Sequence, residues 1–263
     1  MKCEEITKLL ESLSPKKYAS SWDNVGLLVG RREKEVSRIA VSLDASFATI
    51  EEAVKAKADM LITHHPMIFS SLKQINEDQI TSEKILTLIE NGIACYAMHT
   101  NFDTIGGMGE LAVGPEYLDL SDSEPLIFES DDIYGMGRGG YLPTKMTAKE
   151  VADYVKKKFG LSFVMLYQDE RLKDKQFDKI AVLPGSGKSE MEDVRKKGYE
   201  LYLTGDYGHH PGIDAMDMGM TIIDATHYGL EHIFVSFIAK YLRDNCNCIE
   251  VVEIDTGCPV QIL

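Results

Sequence analysis

Three apolar segments in the first hundred residues resemble buried β-strands, and they constrain the fold more than any other feature. The segments are 38–44 (RIAVSLD), 59–63 (DMLIT) and 93–98 (IACYAM). An amphipathic helical pattern over 47–57 separates the first two, and another over 82–91 separates the second two. Strands that alternate with helices of this length usually pair in parallel through right-handed crossovers. The sequence therefore predicts an α/β fold.

The last third returns to this alternation, whereas the middle of the chain interrupts it. Residues 106–140 are rich in glycine, contain the acidic runs SDSEP and ESDD, and predict loops and short strands. Thr147 and Glu150 then form a capping box, which predicts a helix to about Phe159. The other predicted elements are a helix over 3–12, strands near 162–167 and 179–183, a helix over 189–197, a strand over 200–203, a loop at GDYGHH, a strand over 221–225, a helix over 227–243 and a strand over 248–254. We predict two similar α/β lobes, over about 1–125 and 126–263.

The charge balance limits the partners of this chain. It carries 28 Lys and Arg against 42 Asp and Glu, a formal net charge of −14. Because this charge repels phosphate backbones and no basic run opposes it, binding to extended nucleic acid is disfavoured. A small anionic or nucleotide substrate remains compatible, since a bound cation can reverse the local potential.

The terminus and the cysteines predict a cytoplasmic protein. The start, MKCEEITKLLESLSPKK, lacks the apolar core of a secretory signal, and no stretch reaches the roughly 18 apolar residues of a membrane-spanning helix. The five cysteines are scattered without a CxxC pair, which indicates reduced thiols. Cys246, Cys248 and Cys258 could alternatively hold a metal, although Cys248 opens the strand-like run CIEVVEID.

The segment LITHHPMIF places two histidines directly after a predicted strand. His64 and His65 precede Pro66, which cannot continue a strand ladder. Ligand sites of open α/β sheets lie at the carboxyl ends of strands, where both imidazoles can turn into one crevice. Because neighbouring histidines rarely share one metal, the pair would give one ligand to each of two ions. Taken alone, surface or capping histidines are the better explanation of the pair.

Two further strand ends repeat the combination of histidine and carboxylate. His99 and Asp103 follow the third strand, and His227 and Glu231 stand four residues apart after the strand that ends at Asp224. An Asp carboxylate can bridge two cations, and helical side chains four apart can reach one ion. The alternatives are a turn cap for Asp103 and a helix-surface pair for the other two. Convergence at three strand ends, none with cysteine, favours a site for two ions from among Zn, Mn, Fe, Co and Ni.

A fourth strand end, LTGDYGHH, adds Asp206, His209 and His210. They could contact a substrate, act as a general base or orient a ligand imidazole, and solvent-facing loop residues explain them equally well. The nearby run LPGSGKS is similar to a P-loop, but that motif needs a glycine where Val182 stands. We therefore do not predict an NTPase.

In combination, SWDNVGLLVG, ITHHPMIF, HTNFD, GSG, LTGDYGHH and THYGLE resemble the NIF-three-like family, whose members are called GTP cyclohydrolase I type 2 homologues. The resemblance runs over nearly the whole chain and fits the compact form without an inserted middle domain. It implies two α/β lobes that face each other across a cleft with two divalent metal ions, and a toroidal homohexamer built as a trimer of dimers. The implied metal ligands are His64, His65, Asp103, His227 and Glu231. Asp206 stands where the family often has Glu, and Leu230 where it often has Ser.

Two functions are consistent with these observations. A dinuclear metal-dependent hydrolase would lower the pKa of a bridging water and open the imidazole ring of GTP or cleave a phosphoester. In this hypothesis His99, Asp206 or His209 moves protons. Trp22 and Asp23 would shape the pocket, although a tryptophan is more often a core residue. The alternative is a non-catalytic hexameric metal-binding or regulatory scaffold. The observation in its favour is that the sequence indicates no clear nucleophile, base or substrate pocket.

Overall fold

The computed structural model describes residues 1–105, 107–127 and 134–262, and it has an α/β fold with two compact units. The first unit comprises Met1–Gly106 and Phe234–Gly257, and the second comprises Gly107–Ile233 and Cys258–Leu263. The predicted α/β class is confirmed. The limits of the units differ from the predicted division at residue 125, because the chain returns to the first unit near its end.

In the described part of the first unit, five strands form one sheet: β1 (Gly26–Val29), β2 (Arg38–Ser42), β3 (Met60–Thr63), β4 (Ala94–Ala97) and β11 (Glu250–Glu253). Their order is β1-β4-β3-β2-β11. The pairs β4–β3, β3–β2 and β2–β11 are parallel, as predicted for the first three strands, and β1 is antiparallel to β4. Every residue of β3 and β4 is buried, which explains their continuous apolar sequences.

Helices with apolar residues three positions apart complete the core of this unit. They are α1 (Cys3–Leu13), α2 (Phe47–Lys55), α3 (Ile80–Glu90), the short α4 (Thr100–Thr104) and α10 (Ile233–Asn245). Ile50 and Ala53 of α2 pack in one apolar cluster with Ile85 and Leu88 of α3 and with Leu61 of β3. This spacing places each pair on one helix face, so that the faces are buried against the sheet residue.

The described part of the second unit contains a six-stranded sheet: β5 (Ser121–Ile127), β6 (Met136–Thr147), β7 (Met165–Tyr167), β8 (Gln176–Ser186), β9 (Leu201–Gly205) and β10 (Thr221–Asp224). The order is β5-β6-β8-β9-β10-β7, in which β8, β9 and β10 are parallel and the other pairs are antiparallel.

The prediction of loops and short strands in the middle region fits the 7-residue β5, but it was wrong for β6, which has 12 residues, and for the helix Met108–Val113. The acidic run SDSEP forms most of β5, whereas ESDD lies outside the described residues. Three of the glycines that indicated loops, Gly137, Gly139 and Gly140, lie inside β6. A Cβ at Gly139 would lie 2.2 Å from the ring of Tyr199, so glycine admits this tyrosine to the strand surface.

The helices of the second unit are α5 (Met108–Val113), α6 (Ala148–Phe159), α7 (Met191–Lys196), α8 (His209–Asp217) and α9 (His227–Glu231). The predicted capping box at Thr147 and Glu150 is confirmed. The GDYGHH loop is shorter than predicted, because α8 begins at His209 and Pro211 occupies its first turn, where a missing N–H is tolerated. The helix predicted over 227–243 is divided at His232 into α9 and α10.

None of the helices in the described ranges combines the length and the apolar character needed to cross a bilayer.

Candidate metal centre

Neighbouring parallel strands of the first unit end in the candidate ligands. His64 and His65 directly follow β3, while His99 follows β4 and precedes α4. Because the carboxyl ends of parallel strands share one edge of a sheet, the three imidazoles gather there. Each offers a ring nitrogen, and these nitrogens lie within 4.8 Å of one another. Asp103 of α4 joins them, with its Oδ1 at 3.5 Å from Nε2 of His64.

Each of these imidazoles is held at Nδ1 by an oxygen acceptor, at 2.7, 2.8 and 2.9 Å respectively: His64 by the carbonyl of Met98, His65 by Oδ1 of Asp44 and His99 by Oδ1 of Asp23. An acceptor at Nδ1 keeps the proton there and leaves the lone pair on Nε2, which is the form in which imidazole binds a metal ion. The cluster therefore fits a metal in its donor chemistry as well as in its spacing.

The partners of Asp23 in this cluster lower its pKa. Its side chain is fully shielded from solvent. Burial alone would raise the pKa of Asp23, but hydrogen bonds from His99 and Thr100 lower it to about 2. Thr100 donates to Oδ2 through its amide at 3.0 Å and through its hydroxyl at 2.5 Å. Asp23 is therefore ionised near neutral pH and holds His99 in one orientation.

The second unit brings His227 and Glu231 together on α9. Nε2 of His227 lies 3.0 Å from Oε2 of Glu231, as their spacing of four residues predicts. Nδ1 of the same ring lies 3.0 Å from Oδ2 of Asp206, which repeats the arrangement in the first unit. The Glu231 side chain is only 3% exposed. A buried carboxylate is costly unless a cation or donors offset its charge, so this pair also fits a metal ion.

Two residues that contact or precede His227 have positive φ angles. Asp206 and Thr226 have φ values of 51° and 65°, and a β-branched residue such as Thr rarely adopts such values. Buried Asp224 holds both turns, since its carboxylate accepts the amides of Tyr207 and Thr226, each at 2.9 Å. Burial raises the pKa of Asp224 in spite of these bonds.

The end of β8 lies against the Glu231 carboxylate. Gly185 has a φ of 80°, and a Cβ there would lie 2.8 Å from Oε1 of Glu231 and 3.7 Å from Nε2 of His227. Only glycine fits both the conformation and the space. Reasoning from the sequence did not assign this glycine to the site, nor Asp44 as the partner of His65. Two sequence features could have indicated them. Gly185 begins the GSG run at the end of a strand, and Asp44 follows β2, the strand next to β3.

The residues predicted to move protons occupy different environments. His99 belongs to the imidazole cluster, and Asp206 is bound to His227. His209 begins α8 as an exposed residue, and its ring centroid lies 5.1 Å from that of His210. Among the described residues, His209 is part of no group of three potential metal ligands. The proton-transfer roles of these residues stay predictions.

The chain is similar to known proteins over almost its entire length. A family model described as Duf34/NIF3 (NGG1p interacting factor 3) matches residues 1–259. A Clostridium acetobutylicum protein named GTP cyclohydrolase 1 type 2 homolog is 34% identical over 244 residues, which cover 92% of this chain and 90% of that protein. A Methanocaldococcus jannaschii protein of the same name is 32% identical over 259 residues, which cover 97% of this chain and all of that protein.

Solved structures share the fold. Reduced HcgD from Methanocaldococcus jannaschii has a TM-score of 0.82 at 31% identity, covering 96% of this chain and 97% of that chain. A Bacillus cereus protein related to NIF3 has a TM-score of 0.90 at 23% identity, covering 100% of this chain and 99% of that chain. The family resemblance predicted from the motifs is thereby confirmed.

Proposed function

Because this chain belongs to the Duf34/NIF3 family, we propose that it is a dinuclear metal-dependent hydrolase that acts on a nucleotide, by opening the imidazole ring of GTP, or on a phosphoester. The nucleotide is suggested by the name of its relatives, GTP cyclohydrolase 1 type 2 homolog. The proposed ligands of the two divalent ions are His64, His65, Asp103, His227 and Glu231.

The observation that carries this proposal is the common state of the ligand imidazoles. In His64, His65 and His227, an oxygen acceptor holds Nδ1, so that Nε2 is left for an ion. Histidine and carboxylate ligands suit Zn, Mn, Fe, Co or Ni, and the lack of cysteine disfavours a closed structural zinc site. When bound, two such ions would lower the pKa of a bridging water and polarise the bond to be cleaved.

Within this proposal, His99 is the residue that moves a proton. Its Nδ1 is bound to Asp23, whose pKa of about 2 keeps the carboxylate charged. An ionised carboxylate at Nδ1 stabilises the imidazolium that forms when Nε2 accepts a proton, so the pair can serve as a general base. We assign to Asp206 the orientation of His227 rather than proton transfer, and His209 is retained as a predicted substrate contact or base.

The assembly and location are part of the same proposal. We propose a cytoplasmic protein that forms a toroidal homohexamer, a trimer of dimers, with no membrane partner and no extended nucleic-acid partner. Light scattering would then report a particle of six copies of the 29.4-kDa chain. A monomer or dimer at micromolar concentration would contradict the hexamer.

The test combines metal analysis with a substrate screen on one sample. Untagged protein, purified without added metal, should contain about two ions per chain and should turn over GTP or a nucleotide ester only when the metal is present. His65→Ala should lose both activity and metal, whereas Asp174→Asn, which alters an exposed residue outside the proposed site, should lose neither. A metal content near zero in the unaltered protein would contradict the proposal.

A non-catalytic metal-binding or regulatory scaffold is the second candidate. The observation that favours it concerns two of the three predicted proton-transfer residues. Asp206 is engaged by Nδ1 of His227, and His209 is exposed and belongs to no group of potential metal ligands among the described residues. Full metal content without turnover across a panel of nucleotides and phosphoesters would support the scaffold over the hydrolase.

A further inference from the structure

The single tryptophan of the chain is exposed beside the imidazole cluster. The exposed fractions of Trp22 and Phe69 are 57% and 58%, and we call these two residues the aromatic pair. Their ring centroids lie 5.7 Å apart at an interplanar angle of 48°, and the Trp22 ring lies 5.9 Å from the ring of His99. Two exposed aromatic rings that lie side by side next to the imidazole cluster offer a surface on which an apolar ring can bind.

Trp22 is held in place although it is exposed. The amide of Ser20 donates to the hydroxyl of Thr100 at 2.9 Å, and the amide of Asp23 donates to the carbonyl of Ser20 at 2.9 Å. The Asp23 carboxylate in turn binds Nδ1 of His99 and both donors of Thr100. The residues around Trp22 are therefore tied to the end of β4, which fixes the indole relative to the His99 ring.

The backbone next to Phe69 is held by Asn24, which follows Asp23 in the loop that carries Trp22. Phe69 lies four residues after His65, and the side-chain amide of Asn24 donates to the carbonyl of Ile68 at 2.6 Å. Met67 and Ile68 pack against the apolar core of the first unit, whereas the Phe69 ring remains exposed. The two residues before Phe69 are thus partly buried against the core, while the ring of Phe69 lies beside Trp22.

We propose that the aromatic pair stacks on a planar heteroaromatic ring of the substrate and positions that ring against the imidazole cluster. Aromatic side chains bind the π-face of any nucleobase. The ring centroid of Trp22 lies 5.9 Å from that of His99, so a base stacked on Trp22 would lie close to the imidazole cluster. A stable contact between proteins buries about 800 Å² on each partner, which is far more than two side chains offer. The aromatic pair therefore suits a small ring rather than a protein surface. The inference rests on the proposed function, because the substrate must present its ring next to the ligand residues. Trp22 and Phe69 are positioning residues.

The emission of Trp22 reports ring binding directly, because the chain has no other tryptophan. Guanosine, adenosine, cytidine and uridine are titrated into metal-free and metal-loaded protein, with free N-acetyltryptophanamide as the correction for absorption by the ligand. At least one nucleoside, with guanosine expected to be strongest, should quench the emission in a saturable manner. Ribose 5-phosphate and tripolyphosphate, which lack a ring of this kind, should not.

Variants of Phe69 separate stacking from general apolar contact. Phe69→Ala and Phe69→Leu should weaken nucleoside binding about tenfold or more, whereas Phe69→Tyr, which keeps the ring, should retain it. Ile89→Ala is the matched control, since Ile89 is 57% exposed and precedes β4 at the end opposite to His99. Its nucleoside affinity should equal that of the unaltered protein.

Two results would overturn the inference. One is the absence of saturable quenching by every nucleoside in both metal states. The other is a nucleoside affinity in Phe69→Ala equal to that of the unaltered protein. If this variant also changes the particle mass, the aromatic pair belongs to a contact between copies of the chain. Failure of the hydrolase proposal appears separately, in the metal content and in turnover, because nucleoside quenching of metal-free protein requires neither.

Discussion

Nδ1 of His227 lies 3.0 Å from Oδ2 of Asp206, a residue 21 positions earlier in the chain. Asp206 follows β9 and His227 follows β10, and these strands are parallel neighbours. The sheet therefore sets the distance between the two side chains. The orientation of the His227 imidazole therefore depends on the backbone at the ends of both β9 and β10. The sequence of α9 by itself does not predict this orientation.

Replacing Asp206 by Asn should weaken metal binding without disturbing the fold. Asn tolerates a φ of 51° about as well as Asp does, so the turn is preserved while the charge at Nδ1 of His227 is removed. Loss of such a partner typically costs about 10- to 100-fold in metal affinity. Competition against a chromophoric chelator measures this change. Asp217→Asn, on the exposed surface of α8, is the control, and equal affinities of the two variants would contradict the assigned role.

Gly185→Ala should lose metal, whereas Gly219→Ala should keep it. Both glycines have a φ of 80°, so each variant pays a similar backbone penalty of about 1 kcal/mol. Only at position 185 would the new Cβ meet Oε1 of Glu231, at 2.8 Å; at position 219 nothing lies within 4 Å. Urea unfolding should show similar losses of stability, and elemental analysis should separate the variants. Equal metal content would show that Gly185 does not shape the site.

Asp59→Asn should destabilise the first unit at neutral pH. Oδ2 of Asp59 accepts the amide and hydroxyl of Ser37 at 2.8 Å and the amide of Arg38 at 3.1 Å, and Oδ1 lies 3.0 Å from Nζ of Lys34. Burial alone would raise the pKa of Asp59, but these bonds lower it from 3.8 to about 2. A shift of this size corresponds to about 2 kcal/mol, which Asp59→Asn should remove from the free energy of unfolding in urea at pH 7.

The same carboxylate should produce an acid-dependent loss of stability. Because its pKa is lower in the folded state, the stabilisation is complete above about pH 4 and is lost as pH falls towards about 2. Urea unfolding at several pH values should therefore show a shallower decline over this window in Asp59→Asn. Asp174→Asn, at an exposed position, should follow the unaltered protein. Parallel curves for Asp59→Asn would refute the assignment.

The five cysteines should differ widely in reactivity. All are free thiols, of which Cys248 is exposed while Cys95 lies in buried β4. Burial raises the pKa of Cys95 to about 12 and also raises that of Cys246, so both hold little reactive thiolate at neutral pH. Brief treatment with iodoacetamide, followed by mass spectrometry of peptides, should find Cys248 labelled and Cys95 unlabelled until the protein is unfolded. Equal labelling would contradict the burial of β4.

The features that could be predicted from the sequence are those set by short-range patterns. The apolar runs of β3 and β4 indicated buried parallel strands, and Thr147 with Glu150 indicated the start of α6. The placement of His64 and His65 after β3 followed from Pro66 and the end of the apolar run.

The features that could not be predicted depend on partners distant in the chain. The glycine-rich sequence around Gly139 indicates a loop, yet Gly139 lies within β6. Glycine is needed at this strand position because the Tyr199 ring packs there. Asp44 binds His65 only because β2 and β3 are neighbours in the sheet. Likewise, Gly185 acquires its role from the carboxylate of Glu231 on another element. In each case the short-range pattern is compatible with two structures, and tertiary packing selects one of them.

Strand β11 adds the last edge to the first sheet by pairing Glu250 with Arg38, and the Phe234 ring lies 5.3 Å from that of Phe102. During synthesis on the ribosome, β2 emerges long before the strand that covers its edge. The first sheet is therefore completed only after most of the second unit has been synthesised. A nascent chain that stalls before residue 250 would leave β2 open to pairing with a foreign strand.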